Sequence, residues 1–205
     1  MMIVIDPGHG GADVGAVGPT GLREASVVLD VAKRLVSLLP AGTAVLTRSG
    51  DVTVGLSKRA AIANQAAADL FVSIHCNATN NREVQGIESW YHGDSERGKR
   101  LAACLYDALI EEFPDAVRRG VKSDRTRYKS GFAALRETVM PAALVELEFI
   151  SHPGREAEMR DPGWAERAAR ALAAGIREYI VETTPPAPPK PWDHPIDFRA
   201  GGGAA

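Results

Sequence analysis

His9, Glu24 and His75, with the pair Glu146 and Glu148, are the residues of this chain whose types and spacing could do chemistry together. His9 lies in "MMIVIDPGHGG", where an apolar, β-branched run breaks at Asp6-Pro7-Gly8 and enters a glycine-rich loop. Such glycines let a backbone approach another group closely. A nucleotide phosphate is set aside, because GxGxxG and the lysine and hydroxyl of a Walker loop are missing. His75 closes a second apolar run, "LFVSIHCNA", and Glu24 opens the helical segment behind the glycine loop. Taken singly, a loop histidine can bond to backbone, and a first-turn glutamate is favoured by the helix dipole. Taken together they make a His/Glu/His set, which suits zinc with one coordination position left for water.

Hydrolysis at such a site needs a carboxylate that takes a proton from water and later delivers it to a leaving amine. The run "PAALVELEFISHP" sets Glu146 and Glu148 among apolar residues. Strand alternation directs both to one face of a sheet, with carboxylates within roughly 7 Å of each other. Buried glutamates are uncommon unless paired or functional, so the competing reading is a salt bridge to an arginine.

These residues need a scaffold that brings them together. Strands are expected at 2–6, 43–47, 69–76, 86–92 and 142–149, with a short one near 132–136. Helices are expected between them: Val28, Val31, Leu35 and Leu38 share a face, as do Leu56, Ala60, Ala63 and Ala67, and Leu101, Leu105 and Leu109. A last helix carries Trp164, Ala168, Leu172, Ile176 and Ile180. The alternation predicts a single α/β domain over 1–182, with a mainly parallel sheet flanked by helices on both faces. His9 and His75 then arrive at the carboxyl ends of neighbouring strands, where open α/β sheets bind ligands. Residues 183–205 begin with "TTPPAPPKP" and read as a proline-rich, disordered tail.

Composition narrows the function classes. The 205 residues carry a net charge of -2, which offers no general attraction to nucleic acid or anionic membrane. The densest basic stretch, 117–129 ("VRRGVKSDRTRYK"), reads as a solvated loop in preference to a substrate-contact patch. Cys76 and Cys104 are too few for a disulfide framework and read as small buried apolar residues. No apolar run is long enough to span a bilayer. The chain starts inside its first strand, so no signal peptide is expected.

In this order, "IVIDPGHGG", "GLREASVVLDVAKRL", "LTRSGD", "LSKRAAIAN", "ADLFVSIHCNA", "GIESWYH", "RGVK", "LRETVMPAALVELEFIS" and "AARALAAGIREYI" resemble the amidase-3 type catalytic domain of zinc-dependent N-acetylmuramoyl-L-alanine amidases. The resemblance covers roughly residues 2 to 181. It implies a mixed α/β sheet of about six strands and cleavage of the amide between N-acetylmuramic acid and the L-alanine of the stem peptide. It also implies that His9, Glu24 and His75 bind Zn2+, that Glu146 is the catalytic carboxylate, and that Asn77 fixes the loop behind the second histidine. The family usually has glycine where this chain has Glu148 and asparagine where it has His152. The first departure makes Glu148 a candidate modulator of Glu146; the second places an imidazole near the same sheet edge. No long helical insertion of the kind that blocks regulated cell-division amidases is seen between His75 and Glu146.

The resulting expectation is a monomeric peptidoglycan amidase, with no nucleic-acid or membrane partner. It would be made in the cytoplasm and released to the cell wall as a phage or prophage endolysin, or as an autolysin. Competing readings are a carboxypeptidase-like zinc hydrolase and a non-catalytic wall-binding module. The first usually has its leading His and Glu close together on one loop, and the second would not need Glu146.

Overall fold

A computed structural model describes residues 1–184. The strands are β1 (Ile3–Pro7), β2 (Ala44–Leu46), β3 (Leu70–Asn77), β4 (Ile87–Tyr91), β5 (Arg118–Ser123) and β6 (Ala142–Phe149). The helices are α1 (Glu24–Leu38), α2 (Leu56–Gln65), α3 (Glu96–Glu112), α4 (Ala133–Arg136), α5 (Pro153–Met159) and α6 (Pro162–Thr183). They build one six-stranded sheet in the order β2-β1-β3-β6-β4-β5. β2, β1, β3 and β6 run parallel, and β4 lies antiparallel to β6. The carboxyl ends of β1, β3 and β6 therefore share one edge with the amino end of β4.

Both faces of the sheet are covered, which is why β1 is buried at every residue instead of alternating. The larger core joins Ile3, Ile5, Val72, Ile74 and Val145 to the apolar faces of α1, α3 and α6. A smaller one gathers Val4, Phe71, Trp90 and Leu144 under α2 and α4. Gly175 of α6 lets that helix approach α3, since a Cβ there would stand 2.6 Å from the Cys104 carbonyl oxygen. Cys76 and Cys104 are both free and buried.

Several local expectations need correction. Residues 132–136 form the single helical turn α4 instead of a strand, with the Leu135 and Arg136 amides donating to the Phe132 carbonyl. The basic stretch read as a loop contains strand β5, parallel to β4 at the sheet edge. Its polar sequence hid it, because an edge strand need not bury its side chains. Leu56 is 64 % exposed, and Ala67 lies past the end of α2 with φ +45°, so the core stripe of that helix reduces to Ala60 and Ala63. Helix α6 continues to Thr183, one residue past the expected domain end, and most of the expected tail lies outside the described residues.

Candidate metal centre

The glycine loop has a geometric reason. A Cβ at Gly8 would stand 2.2 Å from the His75 ring, so only glycine lets the first loop pass beside the second histidine. His9 itself takes φ +59°, a left-handed conformation uncommon outside glycine. Two buried arginines brace the turn by donating to carbonyls in and around it. Arg59 donates to the Pro7 and His9 oxygens at 2.8 and 2.7 Å and to Asp6 Oδ1 at 2.7 Å. Arg48 donates to the carbonyls of Pro7, Gly8 and Ala25 at 2.7–2.9 Å. Asp6 is in turn held by Thr47 and Ser73.

On this frame His9, Glu24 and His75 converge, their ligand-capable atoms all within 4.8 Å of one another. Glu24 Oε1 lies 3.2 Å from His9 Nε2 and 3.0 Å from His75 Nδ1. The backbone amides of Ala16 and Cys76 orient the same carboxylate, donating at 2.9 and 3.0 Å. Asp13 Oδ2 sits 2.9 Å from His9 Nδ1, which leaves Nε2 of that ring to face Glu24. Burial alone would raise the Glu24 pKa, but the two histidines outweigh it and hold the carboxyl far below its ordinary range. Burial pulls His9 down, yet Glu24 and Asp13 carry it above its usual value. Two nitrogens and a carboxylate oxygen aimed at one point, with the outer atoms of His9 and Glu24 held by Asp13 and the Ala16 amide, fit a divalent cation.

Glu146 of β6 stands opposite His75 in the sheet register. Its carboxyl is pushed well above the ordinary range, first by burial and then by the negative charges of Glu24 and Glu88. Its Oε2 is buried and has no hydrogen-bond partner among the described residues. Glu146 and both histidines line a cavity of about 340 Å³, walled on its apolar side by Leu56, Phe132 and Leu144.

Glu148 is not placed where alternation put it. A register shift at this end of the β3–β6 pair sets three steps of β6, Glu146 to Phe149, against two of β3, His75 to Asn77. The Glu148 carboxylate accepts from the Gly86 amide and, at 2.9 Å, from that of Phe149, and lies 3.7 Å from Arg155 Nε. It borders a separate recess with Trp164 and Arg155 instead of sharing the cavity of Glu146. His152 is likewise outside the metal group; its Nδ1 caps α5, accepting from the Gly154 and Arg155 amides. Asn77 donates to Glu88 Oε1 at 2.7 Å and accepts from the Ala78 amide at 2.9 Å, tying the turn after β3 to β4.

Asp13, Arg48 and Arg59 have roles here that no local sequence pattern announces, and Glu88 has a further one. Glu88 lies opposite Glu146 on β4 and accepts from Arg119 and Lys122 at 2.8 and 2.6 Å. Burial opposes ionisation there, but the two cations outweigh it and keep the carboxyl below its usual range. The signal that could have found it is a glutamate inside the apolar run "GIESWY".

Residues 3–178 match the protein family described as N-acetylmuramoyl-L-alanine amidase. LytC, an N-acetylmuramoyl-L-alanine amidase of Bacillus subtilis (strain 168), is 36% identical over 181 residues. The match covers 86% of this chain and 35% of LytC. The endolysin of Bacillus phage SPP1 is 34% identical, with 87% of this chain and 66% of the endolysin covered. The chain thus spans about a third of one relative and about two thirds of the other. Among solved structures, the amidase AmiC2 of Nostoc punctiforme superposes with a TM-score of 0.81 at 35% identity, over 88% of this chain and 97% of that one.

Proposed function

The chain belongs to the N-acetylmuramoyl-L-alanine amidase family, and from that premise we propose that it hydrolyses the amide joining the lactyl group of N-acetylmuramic acid to the L-alanine of the peptidoglycan stem peptide. The observation that carries this reading is the convergence of His9, Glu24 and His75 within 4.8 Å, with Glu146 opposite His75. His9 Nε2, His75 Nδ1 and a Glu24 oxygen are the atoms that would hold zinc. Zinc in such a site supplies a Lewis acid for the scissile carbonyl and lowers the pKa of a bound water to about 7.

Glu146 carries the proton. Its raised pKa and unpartnered Oε2 suit a group that accepts a proton from the attacking water and holds it in a shielded cavity. It returns that proton to the alanine nitrogen as the C–N bond breaks. The products are a lactyl carboxylate and a free alanine amine. Asp13 keeps His9 in its productive orientation, while Glu88, neutralised by Arg119 and Lys122, backs the strand beside Glu146.

One chain supplies all four groups, so a monomer suffices. Peptidoglycan lies outside the cytoplasm, so the enzyme acts at the cell wall after release, as an endolysin or an autolysin. Digestion of purified sacculi tests the reading: new N-terminal alanine should appear, vanish with EDTA and return with added zinc. New reducing sugar ends, or new carboxyl termini without N-terminal alanine, would overturn it.

A further inference from the structure

A second cleft begins at the metal group and shares no lining residue with the cavity of Glu146. It measures about 400 Å³ and is bounded by Val17, Pro19, Thr79, Asn80, Arg82 and Ser151. Each wall adjoins a residue of the site in sequence. Residues 16–19 precede Glu24, residues 78–82 follow His75, and Ser151 lies just beyond the strand of Glu146. Gly15, the neighbour of the cleft residue Ala16, packs directly against the metal group. A Cβ on Gly15 would stand 2.7 Å from Glu24 Oε2 and 2.8 Å from the His9 ring. Ala16, whose amide holds Glu24 Oε2, lines the cleft. Ser151 Oγ accepts from the Thr79 amide at 3.1 Å and so joins two of the walls.

The two hollows differ in chemistry. The cavity of Glu146 combines apolar walls with the carboxylates of Asp6, Asp13 and Glu146, and its one cation, Arg59, is already paired with Asp6. An additional anion would be repelled there. The second cleft offers hydroxyl and amide groups and the exposed cation Arg82, which forms no ion pair among the described residues. The two hollows thus offer a substrate that reaches the metal group two different environments.

We propose that the second cleft is the stem-peptide subsite, that Arg82 pairs there with a carboxylate of the peptide, and that the muramoyl sugar lies in the first cavity against Phe132 and Leu56. The assignment rests on the amidase reading and deepens it: the preferred substrate class is a muramoyl peptide with a free carboxylate in place of a carboxamide. Hydrogen bonding to a charged partner supplies the discrimination, and Thr79, Asn80 and Ser151 are suited to the peptide groups.

The test uses the zinc-loaded full chain and two pairs of synthetic N-acetylmuramoyl tripeptides. One pair differs by carboxylate or carboxamide on the second residue, the other by the same change at the peptide terminus. The wild type should favour the free acid in one pair by on the order of tenfold in kcat/KM, chiefly through KM. Arg82→Gln should lower kcat/KM for the free acid and so erase that preference, and Arg82→Glu should invert it. Arg82 is exposed, so both variants should fold. Equal turnover within both pairs by the wild type would overturn the assignment, as would an unchanged preference in the variants or a uniform loss on all substrates. If the wild type cleaves none of the four, while a non-muramoyl peptide is hydrolysed, the amidase reading itself has failed.

Discussion

Glu146 and Glu148 stand two residues apart on β6, yet the sheet sends them to regions with opposite chemistry. On the cavity side, Glu146 is shielded and its Oε2 lacks a partner. On the Trp164 side, Glu148 accepts two backbone amides and faces Arg155. A carboxylate with its bonds satisfied contributes stability, whereas one held without partners costs stability and is ready to take a proton. The same residue type thus serves structure in one place and chemistry in the other.

The sharpest way to break this comparison is Glu146→Gln, which should lower the rate of alanine release by about 10²–10⁴-fold with zinc content retained. The raised Glu146 pKa also has a stability consequence. A folded-state pKa above the unfolded one means that ionisation opposes folding, so this contribution improves as pH falls. In chelator-treated protein at pH 7, Glu146→Gln should therefore melt no lower than the wild type. A clearly lower melting point, or retained activity, would place Glu146 among the structural carboxylates.

Next in size is Arg59→Met, on the same side of the sheet. It leaves Asp6 buried without its cation and the His9 carbonyl without its donor. Denaturant unfolding should show a loss of about 3–5 kcal/mol, and zinc affinity should fall with it. Unchanged zinc affinity would mean that His9 keeps its left-handed turn unaided.

Glu148→Ala probes the other region and should cost about 1–3 kcal/mol, because two buried amides lose their acceptor. Its kcat should stay within about twofold of wild type; a loss comparable to Glu146→Gln would put both carboxylates back in one site. His152→Asn should have the smallest effect. Asparagine is itself a strong N-cap, so stability should move by less than about 0.5 kcal/mol, with unchanged zinc affinity.

Glu88 sharpens the contrast by acidification. Its folded-state pKa lies below the unfolded one, so its contribution is present above the ordinary glutamate range and is lost as pH falls through the folded value. Glu88→Gln should flatten the loss of stability on acidification; an unaltered acid limb would show that Arg119 and Lys122 contribute little there.

The sequence by itself determined the alternation of strands and helices, and with it the meeting of His9 and His75 at one sheet edge. Apolar runs and helical stripes are local patterns, and a parallel sheet leaves few other places for strand ends to go. Glu24 was legible because a helix start behind a loop has a short reach. The polar strand β5, the helical turn at Ala133–Arg136 and the side taken by Glu148 were decided by tertiary structure. Strand β5 exists because β4 offers it an edge, and a single register shift reverses what alternation implies for Glu148. The same holds for Arg48 and Arg59: their roles depend on carbonyls 40 or more positions away that a left-handed turn exposes. Hydrogen bonds between segments distant in sequence leave no periodic trace in either one, so only the folded chain reveals them.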